Sequence, residues 1–273
     1  MQFKGMQFKG MQFTATLNAL SDEAEQTIEL PAGWSQGRAF FGGFGAAIAY
    51  QHGFNGVETG QAIRAMTVSF VGPLAVGPVV LKRRILRQGK NVTQVSVDIE
   101  QQGQVGLSAL LTFGRSRDSV VRVTETPASS VPSRDKGADM PRSDLVPEFA
   151  RHYEYRLNVG AMPFSNQPER EFGGWMRYAE EDQPIDIGLF LGLVDAWPPA
   201  VLPHLKHPAP ASSLTWTIEF PEPLPSHRTT RSWWQYVAYI DYAADGYGHT
   251  HANIWDEDGN LVAISRQTIT VFG

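Results

Sequence analysis

Residues 185–203 read Ile185-Asp186-Ile187-Gly188-Leu189-Phe190-Leu191-Gly192-Leu193-Val194-Asp195-Ala196-Trp197-Pro198-Pro199-Ala200-Val201-Leu202-Pro203. From Ile187 to Val194 every residue is apolar or glycine, which suits a helix buried on every side. Asp195 interrupts the run near its end. An ionised carboxylate in such surroundings is costly unless it is hydrogen-bonded, so Asp195 needs polar partners from elsewhere in the chain and is a candidate working residue. The competing reading is a solvated Asp at the C-terminus of an ordinary core helix. At about 100° per residue Gly188, Gly192 and Asp195 fall close to one face, leaving bare backbone beside the acid, while Asp186 points the opposite way. Trp197-Pro198-Pro199 then stops the helix, because proline lacks a backbone donor and restricts the residue before it.

A buried helix needs a large core around it, and a chain of 273 residues that is 42% hydrophobic and 11% aromatic can supply one. The net charge of −5, with no basic run, argues against nucleic acid or an anionic membrane surface as the main partner. There is no cysteine, hence neither a disulfide framework nor a Cys nucleophile, which fits a reducing cytoplasm. No apolar segment approaches membrane-spanning length, and the N-terminus lacks a secretory apolar region. Residues 1–10 repeat Met-Gln-Phe-Lys-Gly and read as a tag-like or duplicated start segment, outside the fold.

Residues 11–18 and 27–30 read as short strands around a Ser21-Asp22-Glu23 turn, and the small residues from Phe41 to Tyr50 read as a tightly packed helix. Strands follow at 62–71, 78–88, 92–102 and 105–114, with turn residues between them. The proline-rich stretch 121–147 reads as a linker. Beyond it come strands at 151–162 and 172–179, the helix at 185–197, and strands at 213–221, 231–244, 247–256 and 260–272. The order of the first half recurs. Ser69-Phe70-Val71-Gly72-Pro73-Leu74 matches Glu219-Phe220-Pro221-Glu222-Pro223-Leu224, Gln102-Gly103-Gln104-Val105 matches Asp258-Gly259-Asn260-Leu261, and both halves end on Phe-Gly. A twice-repeated apolar helix followed by an antiparallel meander implies an α+β double hot dog, with units at 11–120 and 148–273 in which the sheet wraps a central helix.

The chain resembles the acyl-CoA thioesterases of the type II, double hot-dog group. The resemblance is carried by Phe41-Gly42-Gly43 opening the first helix, Gly173-Gly174-Trp175-Met176-Arg177 before the second, Asp195, and Asp258-Gly259-Asn260-Leu261-Val262-Ala263 ahead of Gln267. In that family an Asp at the end of the second helix, a Thr or Ser opening the next strand and a Gln on the last strand hold a hydrolytic water. The resemblance assigns these roles to Asp195, Ser213 and Gln267. A carboxylate takes a proton from water, while a hydroxyl and an amide fix its remaining lone pair and hydrogen. Ser212 is adjacent, and a slip of one residue exchanges the two serines. Strict alternation puts Ser213, Thr215 and Thr217 on one face. Gly42 and Gly43, at a helix N-terminus, leave room for an acyl carbonyl to reach unpaired N–H groups. An acyl-CoA substrate, no cofactor, no metal and a homo-oligomer are the accompanying expectations. Leu111 and Ala109 stand near the place of Gln267 in the first half, which implies one site per chain.

His249-x-His251 and His204-x-x-His207 raise a metal site, but neither pair has an acidic or Cys companion at convincing spacing. Gly-x-Ser-x-Gly and phosphate-binding glycine loops are absent. Two other readings stay open. One is a hydratase or dehydratase acting on acyl thioesters, which needs a His beside the acid; the other is a non-catalytic acyl-CoA binding protein.

Overall fold

The computed structural model describes residues 10–140, 146–179 and 182–272. The repeated pentapeptides therefore lie almost wholly outside the described residues. In chain order the elements are α1 (Gly10–Asn18), β1 (Glu25–Leu30), β2 (Ser35–Gln36), β3 (Ala39–Phe40), α2 (Gly42–Phe54), β4 (Ala62–Phe70), β5 (Gly77–Gln88), β6 (Val92–Gln101) and β7 (Gln104–Gly114). There follow β8 (Ala138–Asp139), β9 (Tyr153–Val159), β10 (Glu171–Tyr178), α3 (Ile187–Asp195), β11 (Ala211–Glu219), β12 (Trp234–Ala244), β13 (Tyr247–Trp255) and β14 (Leu261–Val271).

Twelve strands form one antiparallel sheet in the order β1-β5-β6-β7-β4-β11-β14-β13-β12-β10-β9-β8. The two meanders join where β4 pairs with β11, so the two halves share a sheet, as a double hot dog requires. β6 buries alternate residues: Val95, Val97 and Ile99 face the helices while their neighbours face outward. No helix among the described residues is long and apolar enough to cross a membrane.

α2 and α3 lie antiparallel against each other beneath this sheet. A Cβ on Gly188 near the start of α3 would come 3.9 Å from Ala47, and one on Gly43 at the start of α2 would come 2.8 Å from the Cβ of Asp195 at the end of α3. The small residues of α2, buried from Gly43 to Ala49, are what allow this approach.

Residues 10–18 form a helix where alternation suggested a strand. Phe13 and Leu17, four apart, occupy one face and are both buried. Phe13 stacks on Phe44 at 3.9 Å and meets Trp34 edge-on at 5.2 Å. It also fills the glycine face of α3, where a Cβ on Gly192 would come 2.8 Å from its ring and one on Gly188 would come 2.5 Å from Leu17. The backbone expected to lie open beside Asp195 is covered by this helix. Stretch 121–147, read as a linker, contributes β8, and its carbonyls at Pro127 and Pro132 accept the indole N–H groups of Trp255 and Trp175 at 2.8 and 2.9 Å.

Candidate active site

Asp186 opens α3 as its N-cap, its Oδ1 accepting the Leu189 N–H at 2.8 Å. The helix ends at Asp195, where Ala196 N–H reaches back to Leu193 O at 3.1 Å and Trp197-Pro198 leads the chain away. The antiparallel packing delivers the Asp195 carboxylate to the N-terminus of α2, where the Gly43 N–H donates to it. This N–H and the favourable end of the α2 dipole both suit a negative charge. Glycine is required on both sides of the contact, since a Cβ on Gly42 would come 3.0 Å from Asp195 Oδ2 and 2.9 Å from Phe70. Gly43 thus serves the carboxylate itself, and the room expected there for a substrate carbonyl is shared with the acid.

Gln267 completes the pair. Its Nε2 donates to Asp195 Oδ1 at 3.0 Å across 72 residues of sequence. Burial pushes the Asp195 carboxyl up to about 7, and the hydrogen bonds from Gln267 and Gly43 oppose the rise without cancelling it. The residue nevertheless keeps partial access to solvent.

Ser213 sits diagonally from Gln267. It pairs across the β11–β14 ladder with Ile269, whose side chain is buried on the helix side, and Gln267 pairs with Trp216 on that same side. The two positions are thus near neighbours on the ladder, separated by the bulge described below. Ser213 has no direct hydrogen bond to either partner among the described residues. Ser212, opposite Thr270, is exposed on the far face, so Ser213 is the serine turned toward the helices. A bulge between Ser213 and Thr215 breaks the alternation. Thr215 and Thr217 therefore fall on the outer face, where Thr217 Oγ1 meets Thr67 Oγ1 at 3.3 Å.

Aromatic side chains surround the acid. Tyr155 donates its hydroxyl to Ala196 O, the carbonyl just past Asp195, at 2.9 Å. Tyr153 and Tyr236 are buried near enough for burial and the Asp195 charge to raise both phenols. Trp197 stacks on Tyr236 at 5.4 Å. The sequence reading placed the three tyrosines on strands without a role and took Trp197 only as part of the helix stop. Their only signal was the Tyr153-x-Tyr155 alternation, which core packing explains equally well.

In the first half the equivalent place is apolar. Leu111 on β7 lies between Met66 and Val95, all three buried, and a Cβ on Gly53 near the end of α2 would come 2.6 Å from Leu111. Of the histidines, His204 bonds Glu169 O at 2.6 Å, His251 bonds Asp241 at 2.8 Å and His249 bonds Thr268 at 3.4 Å. No group of three or more His, Cys, Asp or Glu that could hold a metal occurs among the described residues. His52 is buried on α2 against Ala24 O, at the opposite end of the helix from Gly43 and Asp195.

The acyl-CoA thioesterase N-terminal domain family matches residues 30–114, and the acyl-CoA thioesterase C-terminal domain family matches residues 125–271. The chain belongs to the acyl-CoA thioesterase family. Among solved structures, a conserved hot-dog-fold protein of unknown function from Alicyclobacillus acidocaldarius is similar to this thioesterase-family chain at 24% identity and TM-score 0.85, over 96% of this chain and 98% of that one. The acyl-CoA thioesterase II TesB2 of Mycobacterium marinum is similar at 17% identity and TM-score 0.70, over 91% and 93%. A tesB protein of Mycobacterium avium subsp. paratuberculosis is similar at 17% and 0.75, over 96% and 99%. At these identities the likeness is one of fold, and the fold is the double hot dog. No curated protein matches the chain by sequence.

Proposed function

We propose that the chain hydrolyses an acyl-CoA thioester to the free acid and CoA through a water activated at Asp195. The observation that carries this reading is the buried carboxylate held between the Gln267 amide and the N-terminus of α2, with its acidity shifted to the neutral range. A base that titrates near the working pH takes and returns a proton most effectively.

In the proposed reaction a water is held by Ser213 Oγ and the Gln267 carbonyl oxygen. Its oxygen attacks the thioester carbon while Asp195 accepts the proton. The carbonyl π pair moves to oxygen, and backbone N–H groups at the start of α2 favour the resulting oxyanion. The intermediate then collapses, the C–S bond breaks, and the proton on Asp195 passes to the departing sulfur. The products are a carboxylic acid and a thiol, and no covalent enzyme intermediate forms. The first half, with Leu111 in place of Gln267, has no second site of this kind and contributes to this chemistry only the start of α2.

The hydratase reading is disfavoured because it needs a His beside the acid, and His52 lies at the far end of α2. Thiol release from acyl-CoA by wild type and Asp195→Asn tests the proposal. Loss of a general base commonly costs roughly 10²- to 10⁴-fold in rate, and that loss is expected here with the fold intact. Wild-type kcat/KM should rise with pH through about 7, where Asp195 ionises. Full hydrolysis by the Asn variant would remove Asp195 from the mechanism.

A further inference from the structure

The two halves of the chain can be compared position by position, because β12-β13-β14-β11 repeats the arrangement of β5-β6-β7-β4. Leu111 pairs with Met66 and Val95 in the first half, as Gln267 pairs with Trp216 and Thr250 in the second. The same bulge recurs, between Ile63 and Ala65 and between Ser213 and Thr215. Counted from the first residue of each helix, Tyr50 holds the place of Asp195. The register therefore matches Ser213 with Ile63, Gln267 with Leu111 and Asp195 with Tyr50, so the small polar groups of the site stand in one half only. Thr250 shares this asymmetry. Its counterpart is Val95, a fully buried residue of nearly the same shape without the hydroxyl.

Thr250 is 6% exposed and faces the helices. Ile240 flanks it on β12 and Gln267 on β14, while Gly248 and Ala252 stand on either side along its own strand. Ser265, diagonal to it on β14, already accepts the Trp216 indole N–H at 2.8 Å. Gln267 is thus the polar neighbour that remains. Among the described residues the Thr250 hydroxyl has no hydrogen-bond partner, and the Gln267 carbonyl oxygen accepts none. A buried hydroxyl left unpaired is costly where valine would fit. Directly opposed residues of an antiparallel pair have Cβ atoms roughly 4.5–5.5 Å apart, so side-chain rotation alone brings this hydroxyl to that oxygen.

The amide needs such a donor. A carboxylate at Asp195 requires the N–H side of Gln267, whereas a protonated acid can donate to Oε1 and hold the amide the other way round. With the acidity of Asp195 near neutral, the amide meets both forms. We infer that Thr250 is a positioning residue of the active site: its hydroxyl turns to donate to Gln267 Oε1 and keeps Nε2 directed at Asp195. The inference rests on the hydrolytic reading of Asp195 and Gln267 and adds to it the residue that sets the amide.

The test takes Thr250→Val, which installs what the first half carries, and Thr250→Ser, which keeps the hydroxyl. In thiol release from acyl-CoA, the Val variant should lose about five- to tenfold in kcat with KM unchanged, the worth of one hydrogen bond. The Ser variant should restore kcat to within about twofold of wild type. In a Gln267→Leu background, Thr250→Val should cost less than about twofold, because the group it acts through is gone. An unchanged kcat in Thr250→Val, or an equal loss with and without Gln267, would overturn the inference. A second measurement does not depend on turnover. Rotation of the Gln267 amide, read by NMR as exchange between its two Nε2 protons, should be about fivefold faster in Thr250→Val and close to the wild-type rate in Thr250→Ser. Rotation indifferent to Thr250→Val would overturn the contact. Faster rotation in a chain that releases no thiol would sustain the contact and discard the hydrolase.

Discussion

If Asp195 is held in a site that resists its charge, replacing it with Asn should change how stability depends on pH. The carboxyl titrates near 3.8 in the unfolded chain and near 7 in the folded one. Between these values the folded protein retains a proton that the unfolded chain has released. Stability is therefore full below about pH 4, falls as pH rises, and has lost the whole contribution above about 7. At 1.36 kcal/mol per pH unit the interval corresponds to a ceiling of about 4 kcal/mol. Partial solvent access screens the charge, and about 2 kcal/mol is the working expectation. Asn cannot ionise, so Asp195→Asn should gain about 2 kcal/mol relative to wild type between pH 4 and pH 8. With an unfolding entropy of about 2.1 cal/mol/K per residue, that is roughly 3–4 °C in Tm for a chain of this length. The assay is thermal or urea unfolding of both proteins at closely spaced pH values, reading the difference between the two curves, because Asn also loses one acceptor at every pH. Parallel curves would refute the reasoning, since Asp195 would then not be titrating abnormally. A wild type that gains on the variant as pH rises would mean that Gln267 and the α2 N-terminus stabilise the anion more than burial opposes it.

Three further outcomes are expected. Gly43→Ala places a Cβ 2.8 Å from the Asp195 Cβ and 2.7 Å from the Phe41 ring, so it should destabilise the fold by about 1–3 kcal/mol and lower activity further, as denaturation and thiol-release assays would show. Phe13→Ala removes a fully buried ring from the three-helix contact and should cost about 3–5 kcal/mol in urea unfolding; a loss within 1 kcal/mol would mean that α1 contributes little to the core. Tyr155→Phe deletes only the hydroxyl on Ala196 O; loss of one such bond is worth about 1 kcal/mol, so kcat should fall several-fold with KM for short acyl-CoA unchanged, and equal losses in both would assign the residue to substrate binding instead.

The elements that determine the fold were legible because their patterns have one physical solution. A wholly apolar helix can only be buried, and β-branched alternation broken by Gly turns can only be a meander. Asp195 was legible for the same reason, as a charge in the wrong company. What escaped the sequence was of three kinds. Residues 10–18 carry apolar side chains at alternate positions, Met11, Phe13, Ala15 and Leu17, a strand-like pattern that hides the helical spacing of Phe13 and Leu17 until both are seen against α3. The β11 bulge is invisible in residue types, yet it decides which hydroxyls share a face with Gln267. Tyr155 meets the carbonyl of Ala196 across 41 residues of sequence, and no local spacing announces such a meeting.

The seam between β4 and β11 has a consequence for how the chain can diverge. Two identical single units meeting across a symmetric interface would carry two identical sites, and any substitution would strike both. Covalent fusion makes the two partners chemically distinct while holding them at a high, dilution-independent local concentration. One copy can then lose its polar pair, as Leu111 against Gly53 illustrates, and still lend the start of its helix to the carboxylate of the other. Severing the chain between the halves would return Asp195 and Gly43 to separate molecules, and completing the site would become a bimolecular event governed by protein concentration.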